Sequence, residues 1–320
     1  LNTHLHTQAM FDALGDDFLD QSLRHQILRG ALFFAKLDLQ IVICPHMLSL
    51  GDAFTAAEAD LTRLSSLGYL SVVSTEHEAL GDDELICALG ILPVRCTSQG
   101  TRCRKLKPQS PRRISNAGGP HKKLGKWLVD GDGVPVLPLN VAIGFRSVVN
   151  GKPKFGKENK PHAPGVMSDI CVLRVPARIL GEPILQFNDD SSDAFNQFHL
   201  HPSQIYMTSI LWLKLHQIAS KCEYSHILEH SFGFGYSNAS YFCQRFGNAL
   251  LHMVTQRMRQ LEARIRAKVT DPSLLAWYAK RDALGPNQGD LFRMWVFTDD
   301  PHFVAVGFDR WVRLLCCWRD

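Results

Sequence analysis

"RMWVFTDDPHFVAVGF", residues 293–308, is an apolar, β-prone run interrupted by two adjacent carboxylates, Asp299 and Asp300. Apolar residues flank a short polar centre, so the pattern predicts a β-hairpin with both aspartates at or beside its bend, a place Asp favours. Two turn aspartates without further role are the simpler reading of a lone F-T-D-D, because four-letter matches are frequent by chance. The weight therefore falls on the rest of the chain. Neighbouring like charges repel, and a cation relieves the repulsion; magnesium takes such oxygens at about 2.0–2.1 Å.

A third carboxylate would complete a clamp for two cations about 3.5–4 Å apart, one serving an attacking 3′-hydroxyl and the other the triphosphate, which is nucleotidyl-transfer chemistry. Asp190 is the candidate. The apolar stretch "ILGEPILQF" (179–187) predicts a strand running into Asn188, Asp189 and Asp190, and "DSSDAFNQFHL" then opens a strand-to-helix junction. Phe242, Phe246, Leu250, Val254, Met258, Leu261 and Ile265 recur at helical steps, predicting a helix over about 239–268, capped by Ser237 or Asn238 and ended by Asp271-Pro272. "IYMTSILWLKL" and "YSHILEHSFGF" predict a hairpin around 216–223, and "FTAAEADLTRLSSLGYL" an amphipathic helix closing at Gly68.

The totals are those of a packed protein: 320 residues, 45% hydrophobic, 21% charged and a net charge of only +4. Charge distribution says more than its sum. Between Glu84 and Asp130 stand only basic charges, namely Arg95, Arg102, Arg104, Lys105, Lys107, Arg112, Arg113, Lys122, Lys123 and Lys126. A second basic stretch rich in Pro and Gly covers 150–165. These read either as solvated linkers or as a surface that tracks phosphates. Nine cysteines lack the paired spacing of a zinc site and read as reduced thiols. No stretch is apolar enough to span a bilayer and no signal peptide is visible, so an intracellular protein, cytoplasmic or nuclear, is expected, with no membrane partner.

Three motifs carry a family resemblance. "DDSSDAFNQFHLHPS" (189–203) resembles the first palm motif of retroelement reverse transcriptases, with Asp190 as its acid and Ala194-Phe195 at the family spacing. "GFGYSNASYFCQRF" (233–246) resembles the second motif at Phe234, Gly235, Asn238, Ala239, Gln244 and Arg245, and "FTDD" (297–300) resembles the Y-x-D-D box. They occur in the family's order, over a resemblance spanning about 105–320. The chain departs from the family in carrying Phe297 where Tyr is usual, and Gly233 and Ser240 where Pro is usual.

The resemblance implies an α+β fold, the palm of a right-hand polymerase: an antiparallel sheet carrying Asp190 and the Asp299 hairpin, backed by helices. Fingers are expected over 61–183 and 201–231, palm over 184–200 and 232–320, with 1–60 unassigned. It implies RNA-directed DNA polymerase activity with two Mg2+ ions, Mn2+ being an alternative, and a primed RNA or DNA template and dNTPs as partners. Asp190 and Asp299 would bridge the metals, Asp300 support them, and Ser191 lend a backbone carbonyl. Phe195 would stand against the sugar and exclude a 2′-hydroxyl, while Phe234 and Gly235 lie beside the nascent base pair. Arg112 or Arg113 would grip the triphosphate, the sequence leaving open which. No thumb follows Asp300, so the sequence reads as a fragment. A catalytically inactive nucleic-acid-binding relic and a two-metal nuclease are the competing readings; the nuclease has no need of an aromatic at 195.

Overall fold

The structure, a computed structural model, describes residues 7–15, 18, 20–32, 42–43, 54–73, 90–91, 94–98, 111–115, 147–149, 152–154, 160–191, 193–208, 210–213, 224–233, 235–236 and 238–319. Its helices are α1 (Thr7–Leu14), α2 (Gln21–Arg29), α3 (Phe54–Ser66), α4 (Ala163–Leu180), α5 (Ala239–Arg266), α6 (Pro272–Asp282) and α7 (Phe308–Arg319). Its strands are β1 (Val42–Ile43), β2 (Leu70–Val73), β3 (Gly90–Ile91), β4 (Val94–Ser98), β5 (Pro111–Ser115), β6 (Ser147–Val149), β7 (Lys152–Lys154), β8 (Ile184–Asn188), β9 (Ile210–Leu213), β10 (Tyr224–Glu229), β11 (Phe292–Phe297) and β12 (Asp300–Val306). Helices and antiparallel sheets in one chain make the class α+β, and among the described strand pairs β1–β3 runs parallel, as does the isolated bridge of Ala31 with Leu200. No described helix is long and apolar enough to cross a membrane.

The chain divides into two compact units, one of Leu1–Leu5, Ser22–Lys157 and Asp193–Phe242, the other of His6–Gln21, Glu158–Ser192 and Cys243–Asp320. In the second unit the sheet order is β11-β12-β8, antiparallel throughout. Side chains alternate across a strand. Phe303 and Ala305 join Val254 and Met258 of α5 and Leu314 of α7, whereas Val304 and Val306 join Leu173 and Ala177 of α4 and Leu274, Trp277 and Tyr278 of α6. Strand β12 is thus buried on both faces, which is why 303–306 reads as an unbroken apolar run. Helix α5 extends over most of the expected span because its apolar residues keep one face. After it Asp271 caps α6, accepting from the Leu274 N–H at 2.8 Å, with Pro272 in the first turn.

In the first unit the sheet order is β2-β10-β9. The expected pairing across 216–223 is present as β9 against β10, Tyr224 opposite Leu213. The turn between them lies outside the described residues.

Specific contacts hold these segments in their units. Glu158–Ser192 falls with the acidic hairpin, where Leu173 and Ala177 seal β12. Asp193–Phe242 falls in the first unit, where His199 bridges Ser231 and Leu200 bridges Ala31. Residues 6–21 join the second unit through a fork from Arg245 to Asp20, Nε to Oδ2 at 2.6 Å and Nη2 to Oδ1 at 2.7 Å. The Phe18 ring adds a contact with His252, centroids 5.6 Å apart.

Candidate active site

The acidic end of the second unit's sheet is built from backbone outward. Phe297 pairs with Asp300 across a two-residue bend of Thr298 and Asp299. Thr298 has φ +66°, and the Asp299 N–H donates to the Phe297 carbonyl at 2.9 Å, a γ-turn. A β-branched residue in the left-handed region is an outlier that costs on the order of 1–3 kcal/mol and persists only where its surroundings hold it. They do so here. The buried Gln244 accepts from the Thr298 N–H at 2.9 Å and donates to the Val296 carbonyl at 3.0 Å.

On the other side of β12, pairing continues past the end of β8. His302 stands opposite Asn188, the Asp189 N–H donates to the Pro301 carbonyl at 3.1 Å, and the Ser191 N–H donates to the Asp299 carbonyl at 3.3 Å. The backbone of Asp190 therefore runs beside that of Asp299 and Asp300. The two adjacent acids at 189 and 190 differ in what holds them. Asp189 accepts from the Trp318 indole N–H at 2.9 Å and from the Asp190 N–H at 3.0 Å, so its carboxylate belongs to the fold. Asp190 and Asp300 are exposed, and among the described residues neither has a basic partner. Asp299 is half-buried.

Among the described residues no three His, Cys, Asp or Glu side chains gather into a group that could hold a metal ion. The donors at this end of the sheet, carboxylate and backbone oxygens, are nevertheless those a hard divalent cation takes, so the residues fit magnesium in kind.

No protein-family model matches the chain, and no curated protein matches its sequence.

Of the expected site residues, Asp190, Ser191, Asp299 and Asp300 lie on adjacent backbone segments in the second unit. Phe195, Gly235, Arg112 and Arg113 belong to the first. Phe195 is half-buried in a 3₁₀ turn, Ala194–Gln197, entered through Asp193 at φ +49°. The Asp193 carboxylate takes a fork from Arg63 of α3, at 2.6 and 3.2 Å, and that pairing holds the Arg63 pKa above its ordinary value. Gly235 has φ +121°, a conformation that side chains resist. Arg112 and Arg113 lie on β5, opposite Thr97 and Cys96, with their side chains outside the described residues. Phe234 and the lysines at 122, 123 and 126 also lie outside them.

Gly233 and Phe297 have local physical settings of their own. A Cβ at Gly233 would sit 3.1 Å from Oε1 of the buried Glu229, which also accepts from the Tyr236 hydroxyl. The Phe297 ring meets His302 edge-on with centroids 5.4 Å apart. In the sequence Gln244 stands out only as a motif match, with no role attached to it. A signal was present in Gly247, one turn further along, since glycine is costly inside a helix unless something packs there.

Proposed function

We propose that the chain is the fingers-and-palm part of a retroelement RNA-directed DNA polymerase, which adds deoxynucleotides to a primer 3′-hydroxyl on an RNA or DNA template. The observation that carries this reading is the Ser191 N–H to Asp299 carbonyl bond at 3.3 Å, which draws Asp190 alongside Asp299 and Asp300 from a distant part of the sequence. In this reading Asp190 and Asp299 hold two magnesium ions, manganese being an alternative, and Asp300 supports the pair. Magnesium, when bound, neutralises triphosphate charge and makes the 3′-hydroxyl a better nucleophile.

The remaining work falls to the chain's own residues. Ser191 offers a backbone carbonyl, the Phe195 ring excludes a 2′-hydroxyl, and Phe234 and Gly235 border the nascent base pair. Arg112 or Arg113 binds the triphosphate as a guanidinium fork. Primer extension on an RNA template with Mg2+ and dNTPs tests the proposal. Wild-type chain is expected to incorporate dNTPs, and Asp299→Asn to lose on the order of 10²–10³-fold in rate, the scale of removing a transition-state electrostatic contact. No incorporation by wild type, with salt-sensitive nucleic-acid binding intact, supports instead an inactive binding relic.

A further inference from the structure

We propose that Gln244 is a positioning residue for the acidic turn: its carboxamide fixes the Thr298 peptide and so sets the direction in which Asp299 offers its carboxylate to a divalent cation. The inference rests on the polymerase reading above and assigns a role within it that the motif match alone does not supply.

Among the described residues strand β11 is an edge of its sheet, and there the Val296 carbonyl has no further strand to accept from. Opposite Val296 stands Pro301, which has no N–H to give. Thr298, held at φ +66°, has its N–H in the bend itself. One side chain meets both needs. Gln244 is 2% exposed; its Nε2 donates to the Val296 carbonyl at 3.0 Å and to Asn248 Oδ1 at 3.2 Å, and its Oε1 accepts from the Thr298 N–H at 2.9 Å. A carboxamide is suited to this because it donates and accepts from two atoms of one planar group.

The helix must also come close enough for so short a side chain to reach. Gly247, three residues on and therefore on the same face of α5, provides the approach: a Cβ there would lie 2.7 Å from Val296 Cγ2. Gln244 and Gly247 thus form one contact surface against the hairpin. Asp299 is the residue directly after the clamped peptide, and its own N–H is engaged with Phe297 in the γ-turn. Release of Thr298 lets that peptide leave a conformation threonine disfavours, and Asp299 turns with it. Outer contacts that orient a metal ligand are commonly worth 10–100-fold in metal affinity or activity.

The test uses Mn2+ alone, titrated into the full chain by electron paramagnetic resonance, with hydrogen exchange over 296–300 measured in parallel. Gln244→Met keeps the volume and removes both bonds. Gln244→Glu keeps the acceptor for Thr298 but cannot donate to Val296. Exchange over α6 reports that each variant is folded, and Gln244→Glu serves should the Met variant fail to fold. The expected result is faster turn exchange with Mn2+ affinity about 10–100-fold weaker in Gln244→Met, less weakened in Gln244→Glu, and lost in Asp299→Asn. Wild-type Mn2+ affinity in both folded Gln244 variants, with Asp299→Asn still impaired, overturns the positioning role and leaves the polymerase reading standing. A wild-type chain that binds no Mn2+, or an Asp299→Asn variant that binds it normally, overturns the polymerase reading and this inference with it.

Discussion

Within the second unit, two sets of carboxylates meet opposite fates. Asp20, Glu262 and Asp290 are each held by an arginine, at 2.6 Å from Arg245, 2.8 Å from Arg310 and 2.9 Å from Arg259. Asp190 and Asp300 lie exposed beside one another's backbone, with no basic partner among the described residues. Those three acids are neutralised where segments meet, and these two lie open at one end of one sheet. The difference separates acids that hold the fold from exposed acids that a divalent cation can reach.

The largest effect expected from this contrast lies on the paired side. Arg310 and Glu262 are both buried and join α7 to α5, so Arg310→Ala leaves the buried carboxylate only the more distant Arg313, 4.0 Å away, and should cost up to about 3–5 kcal/mol in denaturant unfolding. On the open side, Asp190→Asn should cut primer extension by on the order of 10²–10³-fold. Its unfolding free energy should stay within about 0.5 kcal/mol of wild type or rise, as expected of an exposed position. A matched loss of stability in Asp190→Asn would erase the distinction between the two sets.

Gly247→Ala sharpens the contrast at its structural edge. The added methyl meets Val296 Cγ2 at 2.7 Å, and overpacking of this kind costs about 1–3 kcal/mol, readable as a lower unfolding midpoint.

The smallest effect extends the comparison to the first unit, where burial acts without a counter-ion. Burial pushes the His199 pKa below its ordinary value, and that of His230 likewise. Each folded pKa lies below the unfolded one, so as pH falls through about 6.5 the unfolded chain takes up protons first and stability declines. Thermal melts between pH 8 and pH 5.5 should show that decline, and His199→Gln should flatten part of it.

The hairpin and the long helix were legible because their signals are local. Apolar residues flanking Asp299-Asp300 announce a bend, and the spacing from Phe242 to Ile265 announces a single helical face. The end of β8 just before Asp190 was legible because a strand-like run stops there. What escaped was set by contacts between distant segments. The Arg245–Asp20 fork, which ties 6–21 to α5, spans 225 positions and leaves no periodic trace. The burial of α4 against β12 follows from Leu173 and Ala177 meeting Val304 and Val306, more than a hundred positions away in the chain. Asp189 and Asp190 are chemically identical in the sequence. Only the Trp318 indole, reaching from α7, distinguishes the anchored acid from the open one.

The most direct test of the central claim is a crystal structure of the full chain grown with Mn2+, read by anomalous scattering. The account predicts manganese between the carboxylates of Asp190 and Asp299, with Asp189 still bonded to Trp318. Manganese absent from that end of the sheet, or the two carboxylates directed to opposite faces, would contradict it.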